Sequence, residues 1–144
     1  MGLLIDTNIF IAAERCRQSG SLAALLEQIP AEYESDEALI SVITASELEF
    51  GVHRASDEHR RETRRAFVEA VFTQFGTAPI DLRVARCHAQ LTARLMTAGQ
   101  LIGTHDYSWI AATGVASSHA IVTANVNEFE RVAGLSVIRV NLPS

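Results

Sequence analysis

The sequence predicts an α/β protein with a mainly parallel central sheet covered by helices on both faces. Three observations carry that prediction. Short apolar or β-branched runs recur along the chain, helical patterns separate them, and most of the helices have clear start and stop residues.

The first run is "LLI" at 3–5, a short buried strand. A helix follows over 7–14, its apolar positions Ile9, Phe10 and Ala13 recurring at helical spacing. The next helix covers 20–29, opened by Ser19 or Ser21 and stopped by Pro30. The acidic stretch "AEYESDEA" (31–38) reads as a solvated connection to the second strand, "LISVI" at 39–43. Thr44 opens a helix over 44–55, and Asp57 opens another over 57–75 that Gly76 ends. "TAPI" at 77–80 has the faintest pattern of the five strands. Asp81 starts a helix over 81–98, closed by Gly99, and Thr104 starts one over 105–118. "AIVT" (120–123), a helix over 127–133 ended by Gly134, and "SVIRV" (136–140) complete the alternation.

At 144 residues the chain is expected to form one domain, 1–144. No apolar stretch reaches membrane-spanning length and no secretory segment develops before Asp6, so a soluble, cytoplasmic protein is expected. Cys16 and Cys87 form no metal-type pair and read as reduced thiols. The net charge of −5 argues against a generally basic, nucleic-acid-coating surface but leaves room for a local basic groove. All 12 cationic side chains are arginine. The absence of lysine excludes a P-loop and Schiff-base chemistry.

Three strand-to-helix joints carry carboxylates. In "LIDTN", Asp6 sits at the carboxyl end of the first strand, where a helix cap and a ligand site are both open readings. In "ISVITASELEFGV", Thr44 and Glu47 have the spacing of a capping box, yet Glu47 also lies at the same edge of the sheet as Asp6. In "IGTHDYSWIAAT", Asp106 falls in the first turn after Thr104, on the stripe that continues through Ile110 and Thr113. The strand "AIVT" then delivers Asn125, Asn127 and Glu128 to that edge. Converging acids repel one another in a partly desolvated site unless a cation sits between them. Oxygen-only donors point to magnesium or manganese rather than zinc, and such ions support phosphodiester hydrolysis.

These motifs resemble the PIN-domain ribonucleases, and among them the VapC-type toxins of bacterial toxin–antitoxin pairs. The blocks "LIDTNIFI", "ISVITASELEFGV", "IGTHDYSWIAAT" and "IVTANVNEF" stand in the family's order and cover nearly the whole chain. The resemblance implies a three-layer α/β/α fold, a Mg2+- or Mn2+-dependent endoribonuclease acting on RNA, a homodimer, and a cognate antitoxin as partner. It also implies that Asp6, Glu47 and Asp106 bind metal. Glu128, longer than the aspartate found in many relatives, would act through water or a neighbouring group, together with Thr7, Asn8, Thr123 and Asn125. The alternative is a degenerate PIN module that binds RNA or a protein without cutting.

In helix 57–75, Arg60, Arg61, Arg64 and Arg65 share one arc that Phe67, Val68, Val71 and Phe72 continue. That arc is either an RNA- or antitoxin-binding face or a solvated face paired with Glu58 and Glu62. His88 shares an apolar helix face with Val84, Leu91 and Leu95 and reads as a core or dimer-interface residue, and Trp109 as packing.

Overall fold

A computed structural model of the chain describes residues 2–16, 21–100 and 105–143. Among these, β1 (Gly2–Ile5), β2 (Glu37–Ser41), β3 (Gly76–Ala78), β4 (Ala120–Thr123) and β5 (Val137–Arg139) form one sheet. Its order is β3-β2-β1-β4-β5, and every neighbouring pair is parallel. The helices are α1 (Thr7–Cys16), α2 (Ser21–Leu26), α3 (Val42–His53), α4 (Glu58–Gln74), α5 (Leu82–Thr97), α6 (His105–Ser117) and α7 (Val126–Phe129).

Strand alternation sorts the core into two layers. Leu3, Ile5, Ile40 and Val122 point to the side packed by Ile9 and Phe10 of α1, Val52 of α3 and Val68 and Val71 of α4. Leu4 and Ile121 point to the other, packed by Val84, Leu91 and Leu95 of α5, Ile110 and Ala111 of α6, and Phe129 of α7. The result is the expected three-layer α/β/α arrangement. Ala111 and Ala112 are fully buried, so α6 presents side chains too small to hold it away from its neighbours.

The chain winds outward from β1 through β2 to β3, then crosses back to β4 and β5 on the other side. The reversal leaves a crevice between the carboxyl ends of β1 and β4, the usual position for a ligand in an open parallel sheet.

Several local expectations hold. Asp57 and Asp81 cap α4 and α5 by accepting from Arg60 N and Val84 N, and Gly99 takes positive φ just past α5. Ser19 and Thr104 lie outside the described residues, as does the side chain of Ser21. Three expectations are corrected. α7 ends at Phe129, so Gly134, though at positive φ, lies beyond it and does not end a helix over 127–133. β2 ends at Ser41, whose hydroxyl accepts from Ile43 N as the true cap of α3. Thr44 is therefore an interior residue, and the capping box with Glu47 does not form. Gly76 opens β3 instead of ending α4, because Phe75 already turns to an extended backbone. A Cβ at Gly76 would come within 2.9 Å of Leu39 Cδ2 on β2.

Candidate active site

Asp6 follows β1 directly, and only 1% of it is exposed. Its two oxygens have different partners. Oδ1 accepts from Thr7 N at 2.8 Å, the helix-start role, while Oδ2 accepts from Thr123 Oγ1 at 2.7 Å, across the switch point from the end of β4. The first bond satisfies a free amide of the first turn of α1, as the cap reading of Asp6 has it, and the second ties the carboxylate to the end of β4. Burial raises its pKa, partly offset by the bonds from Thr123 and Thr7.

Glu47 stands in the second turn of α3. Thr7 Oγ1 lies 3.0 Å from both Glu47 Oε1 and Thr44 Oγ1. A hydroxyl has one proton; given to the carboxylate, it leaves Thr7 to accept from Thr44. The Thr44-x-x-Glu47 spacing that suggested a cap instead lines up one helix face against Thr7. Desolvation raises the pKa of Glu47; the Thr7 bond lowers it, and the charges of Asp106 and Asp6 raise it further. Asp106, in the first turn of α6, is exposed, unlike Ile110 and Thr113 farther along its stripe. It nevertheless lies close enough to Glu47 for the two charges to interact.

On the fourth side, Asn125 N donates to Thr123 Oγ1 at 2.9 Å, and Asn125 Nδ2 donates to the hydroxyl of Tyr107 at 3.3 Å. Burial raises the pKa of Tyr107; the Asn125 bond lowers it, and Asp6, Glu47 and Glu128 raise it. Glu128, half-buried, lies near enough to Tyr107 for its charge to act on the phenol. Tyr107 was not picked out from the sequence; its only signal there is its place beside Asp106. Asn8 Oδ1 is buried without a hydrogen-bond partner among the described residues.

The donor chemistry fits a hard divalent ion, being all oxygen and strongly acidic, and none of Asp6, Glu47 and Asp106 makes an ion pair among the described residues. Their spacing is looser than a finished coordination shell: no three acidic, histidine or cysteine side chains among the described residues stand close enough to hold an ion.

The arginines of α4 lie elsewhere. Arg64 binds Glu14 Oε1 and the carbonyl of Gly51, both at 2.7 Å. Arg65 binds Glu49 at 2.6 Å. Arg61 binds Glu58 at 2.7 Å and the carbonyl of Ala55. Arg60 stays near Asp57 at the exposed start of the helix. On the other side of the sheet, His88 stacks on Trp109 with ring centroids 3.8 Å apart and lies 2.9 Å from Ser108 Oγ, the packing role expected of both rings. No helix among the described residues is long and apolar enough to cross a membrane.

A parallel sheet with carboxylates gathered at its switch point defines a class, and the PIN domain family matches residues 3–135. The chain is 36% identical to ribonuclease VapC1 of Rickettsia felis over 141 residues, 98% of each chain. It is 30% identical to the crystal structure of VapBC-5 of Mycobacterium tuberculosis, a member of the VapBC family of toxin–antitoxin systems, with a TM-score of 0.73 over 96% of this chain and 98% of that one. The crystal structure of VapBC2 from Rickettsia felis, bound to a promoter DNA fragment, shares the fold with a TM-score of 0.83 at 20% identity, covering 98% of this chain and 100% of that one. The chain belongs to the PIN-domain family, as one of its VapC ribonucleases.

Proposed function

We propose that the chain is the toxin of a toxin–antitoxin pair, a magnesium- or manganese-dependent endoribonuclease that hydrolyses RNA phosphodiester bonds. On this reading residues 1–144 form a single domain that pairs as a homodimer and is inhibited by a cognate antitoxin. The observation that carries it is the gathering of Asp6, Glu47 and Asp106 from three separate elements at the switch point of the sheet. Positive charge among these carboxylates would offset the desolvation of Asp6 and Glu47 and the repulsion that Asp6 and Asp106 exert on Glu47. Hard oxygen donors select magnesium or manganese for that role. The names of the similar proteins support RNA as substrate and an antitoxin as partner.

Asp6, Glu47 and Asp106 would have to draw closer than the spacing seen here to hold the ion, which when bound would offset charge on the phosphate and make water more acidic. The chain's own groups supply the orientation. Thr123 and the Thr7 amide fix the two oxygens of Asp6, and the Thr7 hydroxyl, backed by Thr44, fixes Glu47. Asn125 holds the Thr123 hydroxyl so that its proton is directed to Asp6. Glu128 and Asn8 would act through water or a neighbouring group rather than on the ion directly.

The test is incubation of purified, antitoxin-free protein with RNA in Mg2+, in Mn2+ and in chelator. Cleavage in either metal, lost in chelator and in Asp6→Asn, is the expected result. RNA binding without cleavage in any condition would favour the non-cutting module instead.

A further inference from the structure

An RNA phosphate entering this crevice meets negative charge. Among the described residues, the charges that act on Glu47 and Tyr107 are those of Asp6, Asp106, Glu47 and Glu128, with no arginine among them. Besides a bound cation, a polyanion needs hydrogen-bond donors there. A neutral donor suits the place, because an arginine would pair with the carboxylates and compete with the ion.

Tyr107 has the form of such a donor. Its ring packs edge-on against Phe129, centroids 5.5 Å apart at 78°, which fixes the ring and leaves the hydroxyl free of the core. Asn125 Nδ2 donates to that hydroxyl and so occupies an acceptor position. The phenol's own proton is given to no acceptor among the described residues. The same Asn125 holds Thr123 through its backbone N–H, and Thr123 holds Asp6. One residue thereby sets the phenol and the buried carboxylate in register.

We propose that Tyr107 is a catalytic residue of this site, its hydroxyl donating a hydrogen bond to a non-bridging oxygen of the RNA phosphate under attack, with Asn125 as the residue that positions it. The inference rests on the ribonuclease reading of the site. A donor aimed at an oxygen on which negative charge is concentrated during the reaction contributes to rate as well as to binding.

The experiment compares full-length wild type, Tyr107→Phe, Asn125→Ala and the double variant in single-turnover cleavage of a short RNA with Mg2+. The RNA is used with a normal phosphate and with each phosphorothioate diastereomer at the cleaved linkage. Tyr107→Phe keeps the ring on Phe129 and is expected to melt like wild type while losing about tenfold to a hundredfold in kcat/KM, the usual loss for a hydrogen bond to a charged acceptor. Sulfur accepts hydrogen bonds weakly. One diastereomer should therefore slow wild type more than it slows Tyr107→Phe, a difference from which the metal's own response to sulfur cancels. Asn125→Ala retains the backbone N–H to Thr123, so it should slow wild type and add little to Tyr107→Phe. Wild-type rates in Tyr107→Phe, or equal sulfur effects in both proteins for both diastereomers, would overturn the assignment. Asp6→Asn separates the two levels of failure. If wild type cuts, Asp6→Asn does not and Tyr107→Phe matches wild type, only the tyrosine role falls; if wild type cuts no RNA in either metal, both readings fall.

Discussion

The crevice beyond β1 and the face between α3 and α4 are both rich in charge, but they treat it in opposite ways. In the crevice Asp6, Glu47 and Asp106 bring three like charges together with no ion pair among the described residues. On the α3–α4 face, Arg61, Arg64 and Arg65 each find a carboxylate, from Glu58, Glu14 and Glu49. Arg64 ties α4 to α1 and to the backbone of α3, and Arg65 ties it to α3 again. Charge that is neutralised within the fold serves the fold. Carboxylates held at a sheet edge in the desolvated setting of Asp6 and Glu47 burden it, and the proposed cation would account for their presence.

The largest expected effect comes from breaking the crevice. Asp6→Asn should lower metal-dependent RNA cleavage by on the order of a thousandfold, the loss of several kcal/mol of transition-state stabilisation. The same variant should melt at least as high as wild type in chelator at neutral pH. The sign follows from the raised pKa of Asp6. A carboxyl group whose folded-state pKa is raised favours the fold below the pH at which the unfolded chain ionises, and that contribution is lost as pH rises through the folded value. Asparagine does not titrate, so its advantage over wild type should shrink as melts are taken from about pH 8 to about pH 4. An advantage that stays constant over that range would remove desolvated charge as its cause.

Thr123→Val leaves the charges in place and removes only the donor to Asp6 Oδ2. A loss of about tenfold to a hundredfold in cleavage is expected, the range seen when a group orienting a metal ligand is removed. Unchanged activity would mean that Asp6 is positioned by the Thr7 amide alone.

On the opposite face, Arg64→Ala should destabilise the protein by about 1 kcal/mol, since it strands Glu14 and the Gly51 carbonyl in a partly exposed setting. Cleavage of a short RNA should be unaffected, and a matched urea titration and rate assay would expose any departure. The smallest effect is expected from Arg61→Ala combined with Arg65→Ala, read as the salt dependence of RNA affinity and as affinity for the antitoxin. Because both guanidinium groups are already engaged within the fold, the RNA salt slope should change by less than about one unit. A fall of about one unit for each residue, or a marked loss of antitoxin affinity, would restore a binding role to the arginine arc.

Much of this was legible in the sequence because it depends on neighbours along the chain. Helix caps at Asp57 and Asp81, stops at Gly99, the run "AIVT" and the acid following the first strand are signals that act within a few residues. The boundary of β2 was not legible in the same way. "SVIT" is apolar enough to extend a strand or begin a helix, and the Thr44-x-x-Glu47 spacing fits a capping box as well as it fits the helix face that meets Thr7. Ser41 became the cap only once Ser41↔Ala78 pairing ended the strand. The role of Tyr107 depends on Asn125, 18 residues away, and that of Arg64 on Glu14, 50 away. The sequence by itself determined the α/β alternation, the family and the acids at the strand ends. Which charges are neutralised and which are left to bind was decided by tertiary structure, because hydrogen bonds and ion pairs act over a few ångströms of space, whatever the distance along the chain.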